Sequence, residues 1–275
     1  MNKVKKLRCF RYRLLRILFF YNRNKRHAVL KTFVKNRLMT QRRCKKVLDF
    51  GDVYNTPVFI ISYNQLSYVK QMVDWLKRYG FNNIHIVDNQ SFYKPLLNYL
   101  DKVDCVVHHM DNNYGHTVIW SSGKFDDIIN NKCYIVSDCD VAPNSKLLKD
   151  FLYRLYEILY RFPYITKVGF ALNIKDLPKN PKNKIVKQWE KQFWETEIEK
   201  NLYLANIDTT FALYRPGQIK MNTETFYSAI RVAGDMTAIH LPWFNEKETK
   251  EFAFYKKTAN SSASWATDAK QYEKG

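Results

Sequence analysis

Nowhere does this 275-residue chain hold an apolar run near the roughly 20 residues that cross a bilayer. In its first fifty residues the longest is Ile17 to Tyr21, and no small-residue cleavage site follows it. The expectation is a chain that lies on a membrane rather than through it. Acidic residues are missing from residues 1–46, which carry 17 Lys or Arg. That segment supplies +17 of the formal +19 and leaves the remainder nearly neutral, with 28 bases against 26 acids. Cysteine is scarce: Cys9, Cys44, Cys105, Cys133 and Cys139 form no short-spaced motif, and their odd number excludes a fully paired disulfide framework. Free thiols fit a reducing compartment, so the cytosol is the expected location. Internal repeats are absent too, and the roughly 230 residues after the arm suffice for one sizeable core.

The first segment is instead a basic arm with interleaved aromatics. Such an arm can bind nucleic acid, because each Lys or Arg near a phosphate releases counterions. It can equally bind an anionic membrane. On a helix, Leu7, Phe10, Leu14, Ile17 and Leu18 share one face, Phe19 and Phe20 widen it, and Lys5, Arg8 and Arg16 fall largely opposite. This favours an interfacial helix over nucleic acid, since apolar burial and attraction to anionic lipid add, at about 1 kcal/mol per basic residue near the surface. The plainer alternative is an arm docked on its own domain or a partner.

Past the arm, short β-rich runs alternate with helical periodicity. Thr56 to Ser62 reads as a strand closed by Tyr63-Asn64-Gln65. Leu66, Val69, Met72, Val73 and Leu76 then recur with helical spacing up to Gly80, a natural helix stop. Ile84 to Asp88 is a second strand, Pro95 to Leu100 a short helix, Cys105 to His108 a third strand, and about 118–129 another helix. This order predicts an α/β fold with a mostly parallel sheet and right-handed crossovers. Ligands of such sheets collect beyond the carboxyl ends of the strands, the edge that gathers Tyr63, Asp88, Asn112, Asn113, Asp138 and Asp140.

The last two end the run Tyr134-Ile-Val-Ser-Asp138-Cys139-Asp140. Two carboxylates so close repel unless a divalent cation lies beside them, and Mg²⁺ or Mn²⁺ held this way typically bridges to substrate phosphates. A solvated turn is the bland alternative. Cys139 reads as a small side chain turned away from any metal, because neighbouring strand residues alternate faces.

With these elements in place, residues 56–245 resemble the GT-A fold nucleotide-sugar glycosyltransferases, family-2-like. The strand ending in Ser62-Tyr63-Asn64 looks like that family's opening strand, and Val87-Asp88-Asn89 like its acidic turn. The resemblance gives Tyr63 and Asp88 roles at the nucleotide base and ribose. It makes Asn113 and Gly115 candidates near the donor, and Asp138 and Asp140 the Asp-x-Asp pair that holds Mn²⁺ or Mg²⁺ against the donor diphosphate. It also implies a GT-A-like, Rossmann-like nucleotide-binding half, a UDP-sugar as the favoured donor and a late His completing the metal shell. His240, in Ala238-Ile-His240-Leu-Pro-Trp243, is the best placed by order along the chain.

The second half offers strands at Lys167–Leu172 and Thr209–Tyr214, with an amphipathic segment Trp189 to Glu195 whose aromatics read more readily as core than as sugar platforms. An inverting transfer needs a carboxylate to take the acceptor proton, and Asp208 and Asp235 compete for that role. No Glu-Asp base motif is present, and each acid could equally be a loop or cap residue. Lys175 to Lys184, with Pro178 and Pro181, reads as a mobile loop. The expected organisation is a basic arm over 1–50, a catalytic domain over 51–257 divided near residue 145 into nucleotide-sugar and acceptor halves, and a flexible tail over 258–275.

The function these features imply is sugar transfer to a saccharide or lipid-linked acceptor, as in polysaccharide synthesis, by a peripheral protein on the cytoplasmic face of a membrane. Two alternatives stand beside it. One is a noncatalytic nucleic-acid or anionic-lipid binding protein acting through the arm, and the other is a nucleotidyltransferase, which would release pyrophosphate.

Overall fold

The computed structural model describes residues 53–163, 165–217, 228–244 and 249–259. The basic arm, with the membrane contact expected of it, lies outside them. A ten-stranded sheet organises the domain.

The first half follows the sequence pattern closely. β1 (Val58–Ser62) is buried along its whole length and is followed by α1 (Leu66–Tyr79). This helix buries Val69, Met72, Val73, Trp75 and Leu76. The four aliphatic side chains contribute roughly 1.5–3 kcal/mol each. α1 ends at Gly80, whose φ of 92° lies in the left-handed region that a side chain disfavours. Next come β2 (Ile84–Asp88), α2 (Lys94–Leu100) and β3 (Val106–His109). A 3₁₀ turn at Gly115–Thr117 leads into α3 (Val118–Ser121), α4 (Asp126–Asn131) and β4 (Tyr134–Asp138). The single helix expected over 118–129 is therefore two, interrupted at Gly123, where φ is 70°. β3, β2, β1 and β4 pair in parallel, which places Ser62, Asp88 and Asp138 at one edge.

The second half is mixed. It contains β5 (Val141–Pro143), α5 (Phe151–Arg161), β6 (Lys167–Leu172), α6 (Pro181–Glu190) and a 3₁₀ turn at Lys191–Trp194. β7 (Glu197–Glu199), β8 (Leu202–Leu204), β9 (Ala212–Tyr214), β10 (Ala229–His240), α7 (Leu241–Phe244) and α8 (Lys250–Thr258) complete it. β9 runs antiparallel between β4 and β6, and β10 pairs in parallel with β6 across a register break between Val232 and Thr237. β6 and β9 approach so closely that a Cβ on Gly169 would stand 2.5 Å from the Phe211 carbonyl oxygen.

Several expectations change here. The loop expected over Lys175 to Lys184 becomes helix from Pro181 onward, because Asn180 caps it by accepting from Asn183 N–H and proline suits the first turn. The strand expected from Thr209 begins only at Ala212. Thr258, expected to begin a flexible tail, is the last residue of α8, and residues 260–275 lie outside the described residues. Trp189, expected in the core, is exposed, and Phe193 and Trp194 are half-buried.

Apolar side chains pack on both faces of the sheet. One cluster joins α1, α2 and α5, among them Trp75, Phe151, Phe170 and Phe211. The other joins α3 and α4, among them Phe59, Phe125, Tyr134 and Tyr214.

Candidate functional site

A tight turn after β4 sends Asp140 into β5, and β5 pairs antiparallel with the end of β10, placing Val141 opposite His240. Sheet register thus brings together two residues far apart in sequence. His240 Nε2 stands 3.3 Å from Asp140 Oδ2, both side chains being about seven-eighths buried at 13% and 15% exposure. Asp140 Oδ1 and His240 Nδ1 are buried and accept or donate no hydrogen bond among the described residues. Leu241 N–H donates to the Asp140 carbonyl at 2.8 Å, fixing the turn, and the His240 ring packs on Trp243 at 4.7 Å.

Asp138 is clamped from the loop before β9. Its N–H donates to the Thr209 carbonyl at 2.7 Å, and the Thr209 hydroxyl donates back to its carboxylate. Burial raises the Asp138 carboxyl well above its ordinary range. The charge of Asp140 adds to the rise, the Thr209 hydrogen bond opposes it, and Asp208 adds a smaller push. Asp208 is therefore close enough for its charge to reach Asp138, and its carboxylate lies 4.0 Å from His116 Nε2. Asp235 is exposed, in the register break of β10 beside Gly234, and is not among the charges that bear on Asp138. Cys139 is buried, its thiol directed to Gln65 Oε1 at 3.7 Å.

The remaining sequence candidates line the same edge in different states. Tyr63 is half-buried, donating through Oη to the Thr258 carbonyl at 3.0 Å. Asp88 is buried with both oxygens engaged: Oδ1 accepts from Ser91 N–H at 3.1 Å, and Oδ2 meets His109 Nδ1 at 3.1 Å. In this arrangement it holds the turn after β2. Asn113 accepts from Gly115 N–H at 2.9 Å, and Gly115 takes a φ of 67°, so the pair shapes the entry to the 3₁₀ turn.

Sequence reasoning missed Thr209, His116 and Tyr255, whose proximity only the tertiary pairing creates. Tyr255 on α8 has its phenol pushed up, first by burial and then by the charge of Asp140, with Cys139 and Asp138 adding to it. Sequence reasoning also missed the support beneath Asp208. Arg231 and Glu190 form a buried pair at 2.7 Å, Arg231 Nε donates to the Asn206 carbonyl at 2.7 Å, and the guanidinium sits 4.0 Å over the Phe193 ring.

Two carboxylates, an imidazole and two orphaned buried polar atoms suit a hard divalent cation. Among the described residues no group of three or more His, Cys, Asp or Glu is arranged to hold a metal ion. Mg²⁺ and Mn²⁺ are commonly bound through one or two carboxylates, with substrate phosphates and water supplying the rest.

Comparison with known proteins finds no matching family model and no matching curated protein. Among solved structures the chain is similar to the mannosyltransferase PcManGT from Pyrobaculum calidifontis, in complex with GDP-Man and Mn²⁺, at 10% identity. The match covers 83% of this chain and 68% of that one, with a TM-score of 0.44.

Proposed function

We propose that this chain is a metal-dependent glycosyltransferase. It moves a sugar from a nucleotide-sugar donor, with a UDP-sugar favoured, to a saccharide or lipid-linked acceptor at a membrane surface. The observation that carries this reading is the meeting of Asp140 and His240 beside Asp138, with a buried unpartnered atom on each of the first two. Asp138, Asp140 and His240 would hold Mn²⁺ or Mg²⁺ only together with the donor's phosphates and water, and when bound the ion neutralises the charge developing on the departing nucleoside diphosphate. Thr209 fixes the Asp138 carboxylate from behind, and Arg231 secures the segment that leads to Asp208.

Asp208 is the proposed base of an inverting transfer. It is exposed at the same edge, so it can take the acceptor hydroxyl's proton as that oxygen attacks the sugar's anomeric carbon and the nucleoside diphosphate leaves. Asp235, exposed in the register break of β10, is the competing candidate for that role. Tyr63 stands at the base of the donor. Asp88 supports the ribose side by ordering the turn after β2, and Asn113 and Gly115 shape the loop beside it.

The test is product analysis after incubation with UDP- and GDP-sugars and Mn²⁺. Release of nucleoside diphosphate that disappears in Asp140→Ala is the expected result. Release of pyrophosphate from a nucleoside triphosphate would instead mark a nucleotidyltransferase, and turnover unchanged in Asp140→Ala would contradict the metal assignment.

A further inference from the structure

The seat at the β1 end is rigidly built. Asn64, fully buried at a φ of 52°, accepts through Oδ1 from Phe92 N–H at 2.9 Å and Tyr93 N–H at 3.0 Å, while its own N–H donates to Ser91 Oγ at 2.8 Å. These bonds hold the backbone of Phe92 and Tyr93 beside Tyr63 at the end of β1.

What packs against that end is built differently. α8 lies against it, held by polar contacts at its two ends. Near the start, the Glu251 carboxylate accepts from Ser67 N–H and Ser67 Oγ, each at 2.9 Å. At the end, Thr258 accepts from Tyr63 Oη and Asn64 Nδ2, each at 3.0 Å. Between them Phe254 lies edge-on to Phe92 at 5.4 Å and tilted on Tyr93 at 5.0 Å, and Tyr255 meets Tyr63 at 6.4 Å. Residues 251–256 and 258 are half-buried, and none of α8 is fully buried. A helix of nine residues has little stability of its own, so these docking contacts are what hold it in place. Its contacts are also those of a ligand: a flat ring among aromatic side chains, and oxygen acceptors for the donors of Tyr63, Asn64 and Ser67.

We propose that α8 is an internal occupant of the donor seat, covering the β1 end in the resting protein and lifting when a nucleotide binds there. The proposal rests on the reading of this edge as a nucleotide-sugar site. Donor affinity is then set by the fraction of molecules in which α8 has lifted, because apparent affinity scales with the competent population. Glu251 and Phe254 act on that fraction without belonging to the metal site.

The experiment uses the full chain and the variants Glu251→Gln and Phe254→Ala, titrated with UDP, GDP and CDP in Mn²⁺, together with hydrogen exchange over 250–258 measured without nucleotide. The expected result is faster exchange across α8 in both variants and about tenfold tighter binding of the preferred nucleotide. Nucleotide added to the wild type should likewise speed exchange in α8. If the wild type binds nucleotide and the variants bind it equally or more weakly, α8 is a wall of the site and the proposal is overturned while the donor reading stands. If no nucleotide binds to the wild type or to either variant, the donor reading fails and this proposal fails with it.

Discussion

From β3 to β4 every neighbouring pair of strands is parallel, and β1, β2 and β4 are buried almost throughout, with apolar side chains at most positions. Beyond β4 the sheet alternates direction, breaks register in β10, and buries charge: Lys167 on β6 is fully inaccessible, and Arg231 on β10 pairs with Glu190 on α6. The first half takes its order from local hydrophobic pattern and delivers functional side chains to its edge. The second half is shaped by contacts between residues far apart in sequence, and it holds up the loop that bears Asp208. Substitutions of the edge residues that the first half delivers should therefore cost binding, and those in the buried charge pairs of the second half should cost folding.

The largest expected effect is at Glu190. Glu190→Ala leaves Arg231 charged and buried without its partner, which typically costs about 3–5 kcal/mol. Denaturant unfolding should show that loss. A change below about 1 kcal/mol would mean that the pair is dispensable and that the second half stands on apolar packing like the first.

Lys167 sharpens the same contrast with the opposite sign. Burial lowers its pKa from 10.5 to about 7; Asp208 partly opposes this fall and Arg231 adds to it. Its ammonium donates to Tyr214 Oη at 3.3 Å and lies 4.9 Å over that ring. Below about pH 7 both folded and unfolded states carry the proton, and the folded state bears the full desolvation cost. Between about 7 and 10.5 only the unfolded state holds it, so stability rises with pH across that window. Lys167→Met should raise stability by roughly 2–4 kcal/mol at pH 7 and flatten the rise. A variant whose stability climbs with pH as steeply as the wild type would remove Lys167 as the cause.

The first half has a smaller pH effect of its own. His85 on β2 stacks on His108 of β3 at 5.2 Å, and burial followed by the His108 charge lowers its pKa from 6.5 to about 4. The unfolded state takes up a proton as pH falls below 6.5 while the folded state does not until about 4, so stability falls across that window. The loss should reach about 2 kcal/mol by pH 5. His85→Gln should reduce it, and an acid slope unaltered by the substitution would place the titration elsewhere.

This contrast also explains what could be read in advance. β1, α1, β2, α2 and β4 were legible because their apolar spacing and the stop at Gly80 are local signals. α6 was obscured by the prolines and lysines around it, although Asn180 before Pro181 is a helix start that could have been recognised. β10 was hidden by Gly234-Asp235, which look like a turn and instead sit in a register break. At the site, Asp138 and Asp140 stood out in the sequence, and His240 followed only from the family resemblance. The hold of Thr209 on Asp138, the burial of both Asp88 oxygens and the packing of α8 against the end of β1 depend on contacts that no local pattern records.

The most direct measurement is calorimetric titration of UDP, GDP and CDP, with and without Mn²⁺, on the intact chain and on Asp140→Ala. The account predicts that one nucleotide binds only with the metal, that Asp140→Ala weakens this binding at least 100-fold, on the order of 3 kcal/mol, and that the variant unfolds as the wild type does. Nucleotide binding indifferent to both Mn²⁺ and Asp140, or none in the wild type, would contradict it.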